Sequence, residues 1–283
     1  MQMMRDAIAA MGRALGPAIL EQCRALFDAE QAALRDALPV TAADIPYGPD
    51  PRQRLDLYAP AEPASAAPIL VFVHGGGFLK GDKGGGADWA NANVGRMAAA
   101  AGFLGVVVTY RLAPDHMWPA GTEDVAAVVG WLKANAAAHG GDPDRIVLAG
   151  TSAGAVHVAG ALKRVEGGIR GAILLSGLYG YTPIDERDAL YYGDPALYSD
   201  RMPLEALAAT GLPLFLASAE FDPPRFQAEF LSLMQERLAR HDAMPRAMIL
   251  SGHNHYSMPM HLGTADRRLA DEICAFVRAT TER

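Results

Sequence analysis

Gly150-Thr151-Ser152-Ala153-Gly154 sets a serine between small residues, directly after the apolar run Ile146-Val147-Leu148-Ala149 and ahead of a helix-forming segment. Strand, tight turn and helix in that order hold a serine hydroxyl exposed at a strand end. The N–H groups and dipole of the following helix favour negative charge at the same spot. Ser152 is therefore the candidate nucleophile. His74-Gly75-Gly76-Gly77-Phe78 follows a second apolar run, Ile69–Val73. Without Cβ atoms, its backbone can bring N–H groups up to a substrate carbonyl. Gly75 and Gly76, with the N–H of Ala153, are the candidate donors to a developing oxyanion.

A nucleophilic serine needs a base, and the base needs an orienting carboxylate. On an open sheet with this kind of serine turn, the acid and then the base follow the serine in chain order. Asp222 stands after the run Leu214–Ala217, in Glu220-Phe221-Asp222-Pro223, with Glu220 as the competing acid. His253 and His255 stand after Ala247–Leu250, in Gly252-His253-Asn254-His255-Tyr256. We assign Asp222 as the acid and His255 as the base, with His253 as its rival, because packing of Tyr256 can fix the aim of the adjacent imidazole. His74 precedes the glycines and is expected to fix their loop. His116, His139, His157, His241 and His261 have no partner pattern. No Cys, His and carboxylate cluster has metal-ligand spacing, and no Gly-Lys-Ser/Thr follows Gly84-Gly85-Gly86. No metal and no cofactor are expected.

The elements that must position these residues alternate. Apolar runs at Leu55–Tyr58, Ile69–Val73, Gly105–Thr109, Arg145–Ala149, Ala172–Leu175, Leu214–Ala217 and Ala247–Leu250 read as strands. Helices are expected near 88–101, 122–138, 153–165, 224–240 and 264–279. This predicts an α/β fold: a doubly wound, mostly parallel sheet of about seven to eight strands. Ahead of it, 1–38 reads as two helices broken at Gly16-Pro17, and the turn-rich 40–52 reads as a linker. The expected organisation is an N-terminal helical arm over 1–45 and a core over 46–283. The segment 177–211 holds five of the nine tyrosines and is too long for a plain connection. It reads as a small cap insertion that, with the arm, limits the pocket to short acyl groups.

The chain has 283 residues, 51% of them hydrophobic and 20% charged, which is ordinary globular composition. Its 25 Lys and Arg against 32 Asp and Glu give a net charge of -7, which argues against a nucleic-acid partner. No apolar run approaches the roughly 20 residues of a membrane span. Nothing near Met1 reads as a secretory leader, so a cytoplasmic location is expected. Cys23 and Cys274, far apart in the chain, read as buried free thiols. The oligomeric state stays open, with a homodimer one of the alternatives.

The motifs together resemble the hormone-sensitive-lipase-like group of α/β-hydrolases. They are His74-Gly75-Gly76-Gly77-Phe78, Tyr110-Arg111-Leu112-Ala113-Pro114-Asp115, Pro119-Ala120, Gly150-Thr151-Ser152-Ala153-Gly154 and Asp222-Pro223, over about residues 45–280. The resemblance implies a carboxylesterase acting on small-molecule esters through an acyl-enzyme, with no cofactor. Arg111 paired with Asp115 is expected to anchor the glycine loop. A second resemblance, to the kynurenine-formamidase relatives, rests on Tyr47-Gly48, Gln53-Arg54-Leu55-Asp56-Leu57-Tyr58 and Asn254-His255-Tyr256. Gly77-Phe78 departs from the Tyr-Trp of those enzymes, and Tyr256 after His255 departs from the glycine of the lipase-like group. The alternatives are an arylformamidase or other amide hydrolase using the same triad and, more remotely, a non-catalytic receptor for small molecules on the same fold.

Overall fold

Nearly continuous apolar runs such as Ile69-Leu70-Val71-Phe72-Val73 suit strands covered on both faces. In the computed structural model, which describes residues 2–60, 66–86, 88–165 and 167–282, they form the middle of one sheet. Its strands are β1 (Ala42–Pro46), β2 (Arg54–Tyr58), β3 (Ala67–Val73), β4 (Leu104–Val108), β5 (Gly141–Thr151), β6 (Gly171–Leu175), β7 (Leu214–Phe221) and β8 (Arg246–Asn254). The order across the sheet is β1-β2-β4-β3-β5-β6-β7-β8. β1 and β2 run antiparallel at one edge, and β4 through β8 are parallel with β3.

The helices are α1 (Gln2–Met11), α2 (Pro17–Ala37), α3 (Ala92–Ala100), α4 (Ala120–Asn135), α5 (Ala153–Ala161), α6 (Glu186–Tyr192), α7 (Tyr198–Arg201), α8 (Leu204–Ala209), α9 (Pro224–His241), α10 (Ser257–Met260) and α11 (Arg268–Thr281). Successive side chains of β3 alternate between the two faces. Ile69, Val71 and Val73 join one buried cluster with Val125, Val128, Leu132, Val158 and Leu233, from α4, α5 and α9. Leu70 and Phe72 join the other with Val94, Met97, Ile273 and Val277, from α3 and α11. The sheet is thus sandwiched between helices.

Two expectations are corrected. The 40–52 segment is not merely a linker: β1 pairs antiparallel with β2 through Ile45↔Leu55 and Pro46↔Arg54. Five residues with a proline at the sheet margin carry little alternation, and proline is tolerated there because an edge strand can spare an N–H. Arg111 does not pair with Asp115, which is exposed. Its guanidinium takes Asp124, one turn into α4, at 2.8 Å, and its backbone N–H donates to the same carboxylate at 2.7 Å. Gln53 Nε2 donates to Asp124 as well, at 2.7 Å. Asp124 is fully buried, so the pair ties the end of β4 to α4.

Four strands end on one side of the sheet, and each leads straight into a candidate residue. β3 leads into His74 and the glycines, β5 into Ser152, β7 into Asp222 and β8 into His255. In open α/β sheets this carboxyl edge is where ligands bind.

Candidate active site

The turn from β5 to α5 holds Ser152 at φ 53, ψ -122. That region is unfavourable for a residue with a Cβ, and such strain persists only where the surroundings enforce it. Here the enforcement is close packing. A Cβ on Gly154 would overlap the Val73 carbonyl oxygen and come within 2.5 Å of the His74 carbonyl oxygen. The serine N–H donates to Leu175 O at 2.9 Å, which pins the turn to the end of β6.

The glycine loop lies alongside. A Cβ on Gly75 would sit 3.2 Å from Ser152 Cβ. Gly76 has φ 129, and a side chain there would strike the Lys80 carbonyl, so this position demands glycine. Among the described residues, no hydrogen bond uses the N–H of Gly75, Gly76 or Ala153. Three unspent donors therefore stand beside the serine, at a helix N-terminus.

His74 holds this loop from behind. Its Nδ1 lies 2.6 Å from Gly75 O; a carbonyl only accepts, so Nδ1 carries the proton and donates. The ring stacks on Tyr110 with centroids 4.4 Å apart, and Tyr110 Oη donates to His74 O at 3.0 Å. Full burial pushes the imidazole pKa down to about 4, which makes it a poor proton acceptor near neutrality.

Asp222 is fully buried and saturated with donors. Its Oδ1 lies 2.8 Å from His255 Nδ1. Its Oδ2 accepts Ser176 Oγ at 2.5 Å, the Ala219 N–H at 2.7 Å and Ser218 Oγ at 2.9 Å. Burial alone would raise the carboxyl pKa. The hydrogen bond and charge of His255, then Ser176 and the Ala219 N–H, outweigh burial and hold it below the usual range. Because the carboxylate accepts, His255 Nδ1 is the protonated nitrogen and Nε2 is free to accept. Phe226 packs on the ring with centroids 4.4 Å apart.

The competing residues are otherwise engaged. Glu220 Oε2 accepts the Gly252 N–H at 2.7 Å. His253 lies 3.1 Å from Ser257 Oγ and 3.3 Å from Asp266 Oδ2, its ring 4.1 Å from that of His261. Among the described residues, one hydrogen bond joins Asp222 to His255, and none joins Ser152 to His255. Hydrogen bonds between a serine and its base commonly tighten only in the substrate complex. No group of His, Cys, Asp and Glu among the described residues has metal-binding geometry.

Sequence reasoning missed the supports. Ser176 (φ 46) stands just past β6, the strand between those that lead into Ser152 and Asp222. A polar residue at that strand end was the available signal. Glu229, buried in α9, accepts the backbone N–H groups of Tyr179, Gly180, Tyr181 and Thr182 at 2.7–3.3 Å. It anchors the start of the tyrosine-rich segment. Tyr191, Tyr192 and Tyr198 of that segment share a buried cluster with Phe78, Ala153 and Phe226. From the other side, Arg13 Nη1 donates to the Asp222 carbonyl at 2.6 Å, and the Gly16 N–H donates to Tyr256 Oη at 3.0 Å. The segment joining α1 to α2 thus touches both the loop of Asp222 and that of His255.

The profile of the alpha/beta hydrolase fold family matches residues 70–267, most of the chain, and the chain belongs to that family. Carboxylesterase NlhH of Mycobacterium tuberculosis is 31% identical over 198 residues, 60% of this chain and 60% of that protein. Esterase LipC of the same organism is 38% identical over 43% of this chain and 30% of its own length. A probable isoprenylcysteine alpha-carbonyl methylesterase of Oryza sativa subsp. japonica is 41% identical over 40% of this chain and 25% of its own. The matches thus span less than two thirds of each of these relatives. A thermophilic carboxylesterase cloned from a metagenomic library superposes with a TM-score of 0.71 at 22% identity, covering 93% of this chain and 98% of that one. A bacterial heroin esterase gives 0.69 at 23% identity, covering 98% and 97%. These structures share the fold.

Proposed function

We propose that the protein is a serine carboxylesterase acting on small-molecule esters, with Ser152, His255 and Asp222 as its triad. The observation that carries this is the buried Asp222–His255 pair, set on the same sheet edge as a strained serine flanked by three unspent N–H groups. The esterase names of the relatives support it.

In this mechanism His255 Nε2 accepts the Ser152 hydroxyl proton as Oγ attacks the ester carbonyl. The oxyanion takes the N–H groups of Gly75, Gly76 and Ala153. His255 returns the proton to the leaving alcohol, and Asp222 stabilises the transient imidazolium. A water, deprotonated by His255, then attacks the acyl-serine and releases the acid. The chemistry asks for no cofactor.

The α1–α2 arm and the 177–211 segment act as the cap, which keeps the pocket to short acyl groups. p-Nitrophenyl acetate and butyrate should be hydrolysed faster than palmitate, and faster than an N-formyl arylamine. Preference for palmitate would refute the cap; preference for the formamide would move the assignment to an arylformamidase. No helix among the described residues is long and apolar enough to cross a membrane. A cytoplasmic location fits this reading, and fractionation to a membrane pellet would contradict it. β8 ends the sheet with Ile249 60% exposed, an edge suited to pairing with a second copy. Light scattering that gives a monomer mass would refute a homodimer.

A further inference from the structure

α6 touches the glycine loop at two points one helical turn apart. Tyr191 stacks on Phe78 with ring centroids 4.5 Å apart and planes 7° from parallel. Arg187, four residues earlier and so on the same helical face, reaches Gly77. A Cβ on Gly77 would lie 3.3–3.4 Å from the Nε, Cζ and Nη1 atoms of its guanidinium. Gly77 is two residues from Gly75, which packs on Ser152. Two residues of chain span at most about 7 Å, so the guanidinium sits on the order of 10 Å from the nucleophile.

The charges around Arg187 are unevenly spent. Arg225 donates to Asp188 at 2.6 Å, Asp185 at 2.8 Å, Thr182 Oγ1 at 3.1 Å and Tyr198 Oη at 3.5 Å. It thereby engages Asp185 and Asp188. Arg187 keeps one long contact, 3.3 Å to Asp188 Oδ1, and its side chain is 45% exposed. A guanidinium presents five N–H donors in a planar fork that matches a carboxylate. Most of that fork is free, beside the loop proposed to receive the substrate carbonyl. In a chain of net charge -7, it is a local cation set against the overall field.

We propose that Arg187 forms a carboxylate subsite at the mouth of the active site. The favoured substrates are then esters that carry a second, ionised carboxylate a short carbon chain away from the scissile carbonyl. This deepens the esterase reading and rests on it.

The test uses the full chain as wild type, Arg187→Met and Arg187→Lys. One arm compares kcat/KM for mono-p-nitrophenyl glutarate with that for p-nitrophenyl butyrate. The other compares 4-carboxyphenyl butyrate with phenyl butyrate, which separates a carboxylate on the acyl side from one on the alcohol side. In one arm the anionic-to-neutral ratio should fall about tenfold in Arg187→Met, be partly kept in Arg187→Lys, and decline with salt in the wild type. Glutarate alone should bind the wild type by calorimetry and bind Arg187→Met about tenfold more weakly. Unchanged ratios with unchanged glutarate affinity overturn the subsite. Arg187-dependent glutarate binding without turnover of any ester would uphold the subsite and refute the esterase reading.

Discussion

Replacing Gly154 by Ala should damage turnover more than it damages the fold. Its methyl would lie 2.5 Å from the His74 carbonyl oxygen and closer still to that of Val73. Both obstacles are backbone, one at the end of β3 and one at the start of the glycine loop, so no rotamer change relieves them. Restoring ordinary contact near 3.4 Å needs a displacement of about 1 Å between the start of α5 and the end of β3. That displacement falls between Ser152 and the N–H groups of Gly75 and Gly76. Misplacement of about 1 Å costs on the order of 100-fold in rate. Overpacking of this kind costs about 1–3 kcal/mol, and for a chain of this size about 2–4 °C of Tm per kcal/mol. The expected outcome is a folded Gly154→Ala protein whose Tm is lower by about 2–12 °C and whose kcat on p-nitrophenyl butyrate is lower by about 100-fold. Calorimetry and steady-state kinetics on one preparation check both. A wild-type kcat would refute the argument that this contact sets the serine against the glycine loop.

Asp222→Asn should lower kcat by about 10⁴-fold, because an amide in place of the carboxylate favours the wrong His255 tautomer. The Asp222 carboxyl is held low, so its stabilisation is present above the ordinary aspartate value of about 4 and is lost as pH falls through the lowered one. Tm should therefore fall less steeply with acid in Asp222→Asn than in the wild type; an equal slope in thermal scans would contradict the linkage. His253→Ala removes a ring buried against Asp266, Ser257 and His261. It should cost about 1–3 kcal/mol in urea unfolding and keep kcat within about tenfold, whereas His255→Ala should lose about 10⁴-fold. The reverse kinetic pattern would exchange the two histidines.

Much of this arrangement could be read ahead of the structure because its chemistry is local. Gly150 to Gly154 and His74 to Phe78 each encode a turn in consecutive residues. Asp222 and His255 stand out because each follows an apolar run that had to be a strand. What could not be read depends on contacts far apart in the chain. Asp124 partners Arg111 only once α4 folds back on β4, and a nearer carboxylate, Asp115, offered itself in sequence. Ser176 carries no motif; its bond to Asp222 exists because β6 and β7 are neighbours. Arg13 reaches the Asp222 carbonyl across 209 residues, a contact no spacing rule encodes. β1 escaped because five edge residues with a proline look like a turn.

The proposed function stands or falls on Ser152 being a nucleophile activated by His255. A fluorophosphonate reacts with an activated serine and forms a stable phosphonyl adduct, so intact-mass and peptide mass spectrometry of the labelled protein test the claim directly. One adduct is expected, on the peptide carrying Ser152, in the wild type and in His253→Ala, and none in Ser152→Ala or His255→Ala. Labelling at another serine, or full labelling of Ser152 in His255→Ala, would contradict it.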